Sequence, residues 1–246
     1  MRLSKSWVIA RKDFKVFSKK KNIIYSLVVV PLMVSILFPV VIELSGRKSG
    51  GIPAAELTIL LPAFTVFYVI LAGITPTTLA SYSLVGEKVE KSLEPLLATP
   101  TTDSEILLGK GIAATIPPMA AILAGSAIFM GLTDAVTSGA LGYNYFPNWN
   151  AALVLFLMVP LATAMSIEWN VLVSSRVSDV RIAQQLGAIF ILPYAGIYVS
   201  GELKLIDLGQ TSNLLIICAS MGFVVLLMLY VVQATFQREA ILTRWK

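Results

Sequence analysis

The chain has 246 residues, 57% of them hydrophobic and 13% charged, with a net charge of +5. A soluble domain carries about 25% charged residues, so a water-facing globule is excluded and an all-α integral membrane protein is expected. Histidine is absent and Cys218 is the single cysteine, which removes an internal disulfide and any Cys/His zinc site, so no metal is expected.

Residues 1–21 open the chain with Leu3, Trp7, Ala10, Phe14 and Phe17 at alternating spacings of four and three, one face of a helix. Arg2, Lys5, Arg11, Lys12, Lys15 and Lys19 occupy the other sides. A basic helix with an aromatic face lies flat among lipid headgroups, so Leu3, Trp7, Phe14 and Phe17 read as its membrane-surface side. The plainer alternative is an orientation signal with no mechanical part.

Two apolar runs follow, Asn22–Ile42 and Leu57–Val85. Each reaches the ~20 residues that a bilayer core requires. They fill region 22–85 as spans 1 and 2.

Residues 86–110 interrupt the apolar pattern. Val85, Val89, Leu93, Leu96 and Leu97 fall on one side of a helix, and Glu87, Lys88, Glu90, Lys91 and Glu94 on the others. Pro95 lacks an N–H and bends the helix near Glu94, and Pro100 stops it. Thr102-Asp103-Ser104-Glu105 is then a capping box that starts a new helix, with Thr102 as its N-cap. The segment therefore predicts helix, bend, short helix, turn, helix. A solvated connector lying on the membrane surface fits the same residues.

Region 111–235 carries spans 3 to 6: Gly111–Leu132, Ala151–Val173, Ala183–Ser200 and Ser212–Thr235. Between the first two, residues 133–150 have no Lys or Arg but hold Tyr143, Tyr145, Phe146 and Trp149. That composition predicts an aromatic belt at the outer interface, with a short amphipathic or re-entrant piece as an option. Glu168 is the one acidic candidate at membrane depth. Trp169 adjoins it and the span ends soon after, which favours a carboxylate reaching for the near interface. Arg176, Asp179 and Arg181 form a short polar loop that is either an ordinary orientation loop or a second docking contact. Residues 236–246 are a polar tail.

Sixteen of the 19 Lys and Arg lie in 1–21, 86–110, 174–182 and 236–246. Positive residues stay inside, so both termini and the 86–110 segment are expected in the cytoplasm, in a multi-pass plasma-membrane protein. The positive excess is thereby read as topology, and no nucleic-acid partner is expected.

Glu87, Ser92, Leu93, Glu94, Leu96, Leu97, Ala98, Thr99 and Pro100, followed by the pair Gly109-Lys110, resemble the signature of ABC-2 type permeases. The basic amphipathic start, the six spans and the motif's place between spans 2 and 3 fit the same family. The chain departs from the pattern at Lys91, where the family has Gly, and at Thr101-Thr102-Asp103, which bears on which ATPase it would fit. The resemblance implies the permease subunit of an ATP-driven exporter, forming the substrate path. It makes 86–110 a cytoplasmic coupling helix that inserts into a groove of a nucleotide-binding subunit. Leu93, Leu96 and Leu97 would fill that groove, Glu87, Glu90 and Glu94 would meet basic residues, and Thr99 and Pro100 would close the element. It also implies two copies of a separate ABC ATPase subunit and a second copy of this or a similar permease, all in the lipid bilayer.

No Gly-x-x-x-x-Gly-Lys-Ser/Thr phosphate loop is present, and Gly109-Lys110-Gly111 lacks both the upstream Gly and the hydroxyl. The chain is therefore not expected to be an enzyme or to hold a cofactor, and ATP and Mg²⁺ belong on the partner subunit. The alternatives are an ATP-independent channel or carrier, which would want several ionisable residues in the spans, and a membrane anchor or assembly subunit. An intramembrane enzyme would need a catalytic constellation at depth, and none is visible.

Overall fold

A backbone in hydrocarbon must satisfy its own hydrogen bonds, so apolar runs of this length become helices. The computed structural model describes residues 3–49, 51, 53–86, 101–177 and 179–235. Along them run α1 (Leu3–Phe17), α2 (Lys21–Ser49), α3 (Ala54–Ser81), α4 (Asp103–Leu141), α5 (Trp149–Arg176), α6 (Val180–Glu202) and α7 (Thr211–Thr235). Among the described residues there is no strand. A π-helical turn, Tyr82–Gly86, follows α3; a second, Val154–Met158, lies within α5, and a 3₁₀ turn, Ile189–Ile191, within α6. Helices α2 to α7 are long and apolar enough to cross a membrane, one for each expected span.

The helix ends overrun the apolar runs. Helix α2 continues past Ile42 to Ser49, where Arg47 pairs with Glu43 one turn back. Helix α4 has 39 residues. At ~1.5 Å each it is about 58 Å long, nearly twice a bilayer core of ~30 Å. Its start is where the Thr-x-x-Glu signal places it: the Thr102 amide donates to Glu105 Oε2 at 3.1 Å and the Glu105 amide to Thr102 Oγ1 at 3.3 Å. It runs unbroken through Pro117 and Pro118 and ends at Gly142, whose φ of 77° suits glycine.

Helix α3 is the most buried span and packs against α4, α5 and α6. Its middle carries an aromatic core: Phe38 of α2 stacks on Phe64 at 4.3 Å and meets Phe129 of α4 edge-on at 6.4 Å. Tyr68 is fully buried, and its hydroxyl shares a 2.7 Å hydrogen bond with Ser35. Gly73 lets the ring of Tyr194 on α6 lie directly on α3, since a Cβ there would stand 2.6 Å from it.

Small polar groups tie α3 to α5 nearer the end that carries α1. Ser166 Oγ donates to the Gly73 carbonyl at 2.6 Å, Ser81 Oγ to Asn170 Oδ1 at 3.1 Å, and Asn170 Nδ2 to Thr77 Oγ1 at 3.3 Å. Gly187 of α6 abuts the same carboxamide so closely that any side chain would collide with it. Lipid gives helices no hydrophobic drive to associate, so small polar side chains that bond across them serve as the glue.

At the opposite end the aromatic loop divides. Tyr143 and Trp149 are exposed, as a belt requires, whereas Phe146 is buried against Phe129 at 5.5 Å. The cause is Asp134, whose Oδ1 accepts the amides of Tyr145 and Phe146 at 3.0 and 3.1 Å and draws the chain back over the bundle.

Candidate functional site

Three chain segments converge at the α1 end: α1 itself, the Tyr82–Gly86 turn and the first turns of α4, with α5 and the start of α6 touching that turn. Helix α1 presents Ser6, Ile9, Ala10, Asp13 and Phe17 inward, a set at helical spacing, and packs along α4. The closest approach is at Gly109, where a Cβ would lie 2.7 Å from the Ser6 carbonyl oxygen and 2.9 Å from Ile9 Cβ.

One residue on, Lys110 enters this contact. Asp13 and Lys110 are each 3% exposed, with Asp13 Oδ2 3.7 Å from Lys110 Nζ. Ser83, in the turn after α3, joins them. The ammonium donates to the Ser83 carbonyl at 2.7 Å and to its hydroxyl at 3.1 Å, and that hydroxyl donates to Asp13 Oδ2 at 2.7 Å. A buried ion pair repays its desolvation when further hydrogen bonds satisfy both partners, and Ser83 serves both. Beside it, the ammonium of Lys20, just after α1, sits 3.7 Å from the ring centroid of Tyr82, a cation–π contact. The result is one buried polar junction holding the first helix to both stems of the segment between α3 and α4.

The sequence-derived site residues distribute around it. Glu87, Glu90, Leu93, Glu94, Leu96, Leu97, Thr99 and Pro100 lie outside the described residues; their flanking stems, Tyr82–Gly86 and Thr102–Lys110, are the parts just described. Of the α1 stripe, Leu3 and Trp7 are exposed, Phe14 is partly buried, and Phe17 is buried among Ile23, Leu79 and Ala113. Asp179 caps α6, its Oδ1 accepting the amides of Arg181 and Ile182 at 2.6 and 3.3 Å. Arg176 and Arg181 both stay exposed. Glu168 stands apart: it is 7% exposed and lines a groove between α4, α5 and α7.

Asp13 and Ser83 escaped sequence reasoning. One signal was present, since Asp13 is the sole acidic residue before Glu43, in a strongly basic stretch. The Gly109-Lys110 pair was visible as part of a motif, and the structure gives it a physical part. The glycine is a helix-packing contact and the lysine an internal cation, within the first turns of a helix rather than in a phosphate-binding loop.

The family profile described as ABC-2 family transporter protein matches residues 7–204. The chain belongs to the ABC-2 transporter family. No curated protein matches it. As a member of the ABC-2 family it is a transmembrane permease subunit. The matched region runs from α1 to just past α6, so it contains the whole Asp13–Ser83–Lys110 junction.

Proposed function

We propose that this ABC-2 permease is the membrane half of an ATP-driven exporter in the plasma membrane, with α1, both termini and residues 86–110 in the cytoplasm. Two copies of a separate ABC ATPase hydrolyse Mg²⁺-bound ATP, and a second permease completes the path. Residues 87–100 dock on the ATPase through Leu93, Leu96 and Leu97, with Glu87, Glu90 and Glu94 facing basic residues. Exposed Arg176 and Arg181 form a second contact.

The observation that carries this reading is the buried junction at the stems of that segment. A force delivered at Gly86 or Thr101 arrives at a buried contact. It reaches α3 through Ser83, α4 through Lys110 and α1 through Asp13, and α3 is the helix on which the bundle packs. The exposed side of α1, with Leu3 and Trp7, rests on the headgroups and serves as the lever's bearing.

Co-expression with a partner ABC ATPase tests the reading. Leu96→Asp and Glu94→Arg should each leave insertion intact, abolish transport and disconnect ATP hydrolysis from it, because anchors of this kind carry most of an interface's energy. Transport unchanged in both variants would remove the segment from the mechanism.

A further inference from the structure

Between α4, α5 and α7, towards the α1 end, lies a groove of about 470 Å³ that opens on the surface of the bundle. That volume is within the ~300–1,000 Å³ of ordinary small-molecule sites. Its walls are apolar, built from Leu107 and Ile112 on α4, Ile167 and Val171 on α5, and Leu229 and Val232 on α7. Into them projects one carboxylate. Glu168 is 7% exposed, and its Oε2 is buried without a hydrogen-bond partner among the described residues. Among the described residues no Lys or Arg forms an ion pair with it. The other polar groups of the groove do not supply a charge. Thr115 spends its hydroxyl on the Gly111 carbonyl at 2.8 Å, while Ser104 and Gln233 are neutral and exposed.

A carboxylate at this depth is costly unless a cation meets it or a proton neutralises it. A single carboxylate among aliphatic walls cannot hold a hard metal ion, which asks for about six or more oxygens. An anion would be repelled, and a neutral lipid chain would fill the walls but leave the carboxylate orphaned. We propose that the α4–α5–α7 groove is a binding site for an apolar organic cation, its positive head on the Glu168 carboxylate and its hydrocarbon body along Leu107, Ile112, Val171 and Val232. Gln233 and Ser104 lie among the groove's lining residues and add neutral polar groups to it. The site needs no nucleotide and no second subunit, so it stands independently of the exporter reading.

The test is equilibrium binding of radiolabelled dodecylamine to the purified full-length chain in maltoside micelles, with 1-dodecanol as the neutral competitor of equal length. Saturable binding near one amine per chain is expected, with dodecanol at least tenfold weaker. Glu168→Gln should weaken the amine at least tenfold and leave dodecanol unchanged. Gly111 lines the groove, and a Cβ there meets nothing within 4 Å. Gly111→Phe should therefore fold as wild type, fill the groove and exclude both probes, which keeps the test sound if Glu168→Gln is poorly folded. No saturable amine binding by wild type, equal amine affinity in Glu168→Gln, or unimpaired binding in Gly111→Phe each overturns the proposal.

Discussion

Replacing Lys110 by Met probes the buried junction directly. The substitution keeps an unbranched side chain of similar length but removes the ammonium. That ammonium is the donor to Ser83 in two hydrogen bonds and the counter-ion of Asp13 at 3.7 Å. Asp13, 3% exposed, would then keep the Ser83 hydroxyl but lose this cation. Removing one partner of a buried pair costs about 3–5 kcal/mol. For a domain of 150–250 residues, ~1 kcal/mol moves the midpoint by about 2–4 °C, so Lys110→Met should lower it by roughly 6–20 °C in detergent. Asp13→Leu should do the same from the other side. The double variant Asp13→Leu/Lys110→Met should recover most of the loss, because two apolar side chains in place of a buried pair are often neutral or stabilising. The assay is thermal unfolding of the purified chain followed by size-exclusion chromatography, with a double-mutant cycle to extract the coupling. A Lys110→Met midpoint within 2 °C of wild type, or a double variant as unstable as the sum of the singles, would refute the claim that these charges depend on each other. The junction would then be a coincidence of packing.

Gly109→Leu should strip α1 from α4, because the nearest obstacle to its Cβ is the Ser6 backbone oxygen at 2.7 Å, which has no flexible end to swing aside. Limited proteolysis should then cut within Leu3–Phe17 at enzyme levels that spare wild type, and equal resistance would show that α1 does not depend on this contact. Thr102→Ala removes the side-chain half of the α4 cap. It should cost about 1 kcal/mol, a midpoint shift of a few degrees, and Thr102→Ser should restore it; a shift above 10 °C would mean that Thr102 does more than cap. With Leu96→Asp and Glu94→Arg, these variants separate the stems from the proposed docking segment. The stem variants should lower stability, and the docking variants should change transport at constant stability.

What could be read in advance divides along physical lines. The six spans were legible because hydrocarbon imposes length and composition at once, and the α4 start was legible because Thr102 and Glu105 are local partners. The far ends of α2 and α4 were not, since a helix leaving the bilayer no longer needs apolar residues and nothing in Glu43–Ser49 or Thr133–Leu141 forbids it to continue. The polar contacts between helices were invisible for a different reason. Thr77, Ser81, Ser166 and Asn170 are too few and too small to disturb an apolar run, and their partners lie on other helices far along the chain. Phe146 looked like an interfacial aromatic because composition cannot tell a ring at the boundary from one pulled inside by Asp134. Asp13 and Lys110 form the buried junction, and their separate contexts explain why neither announced itself. Asp13 sat in a basic helix with lysines on every side, and Lys110 stood beside a glycine in a motif. Each is expensive to bury alone, so the fold that brings them together has to bring Ser83 as well. That requirement ties the two ends of 87–100 to the first helix, and any partner that moves this segment must work through that contact.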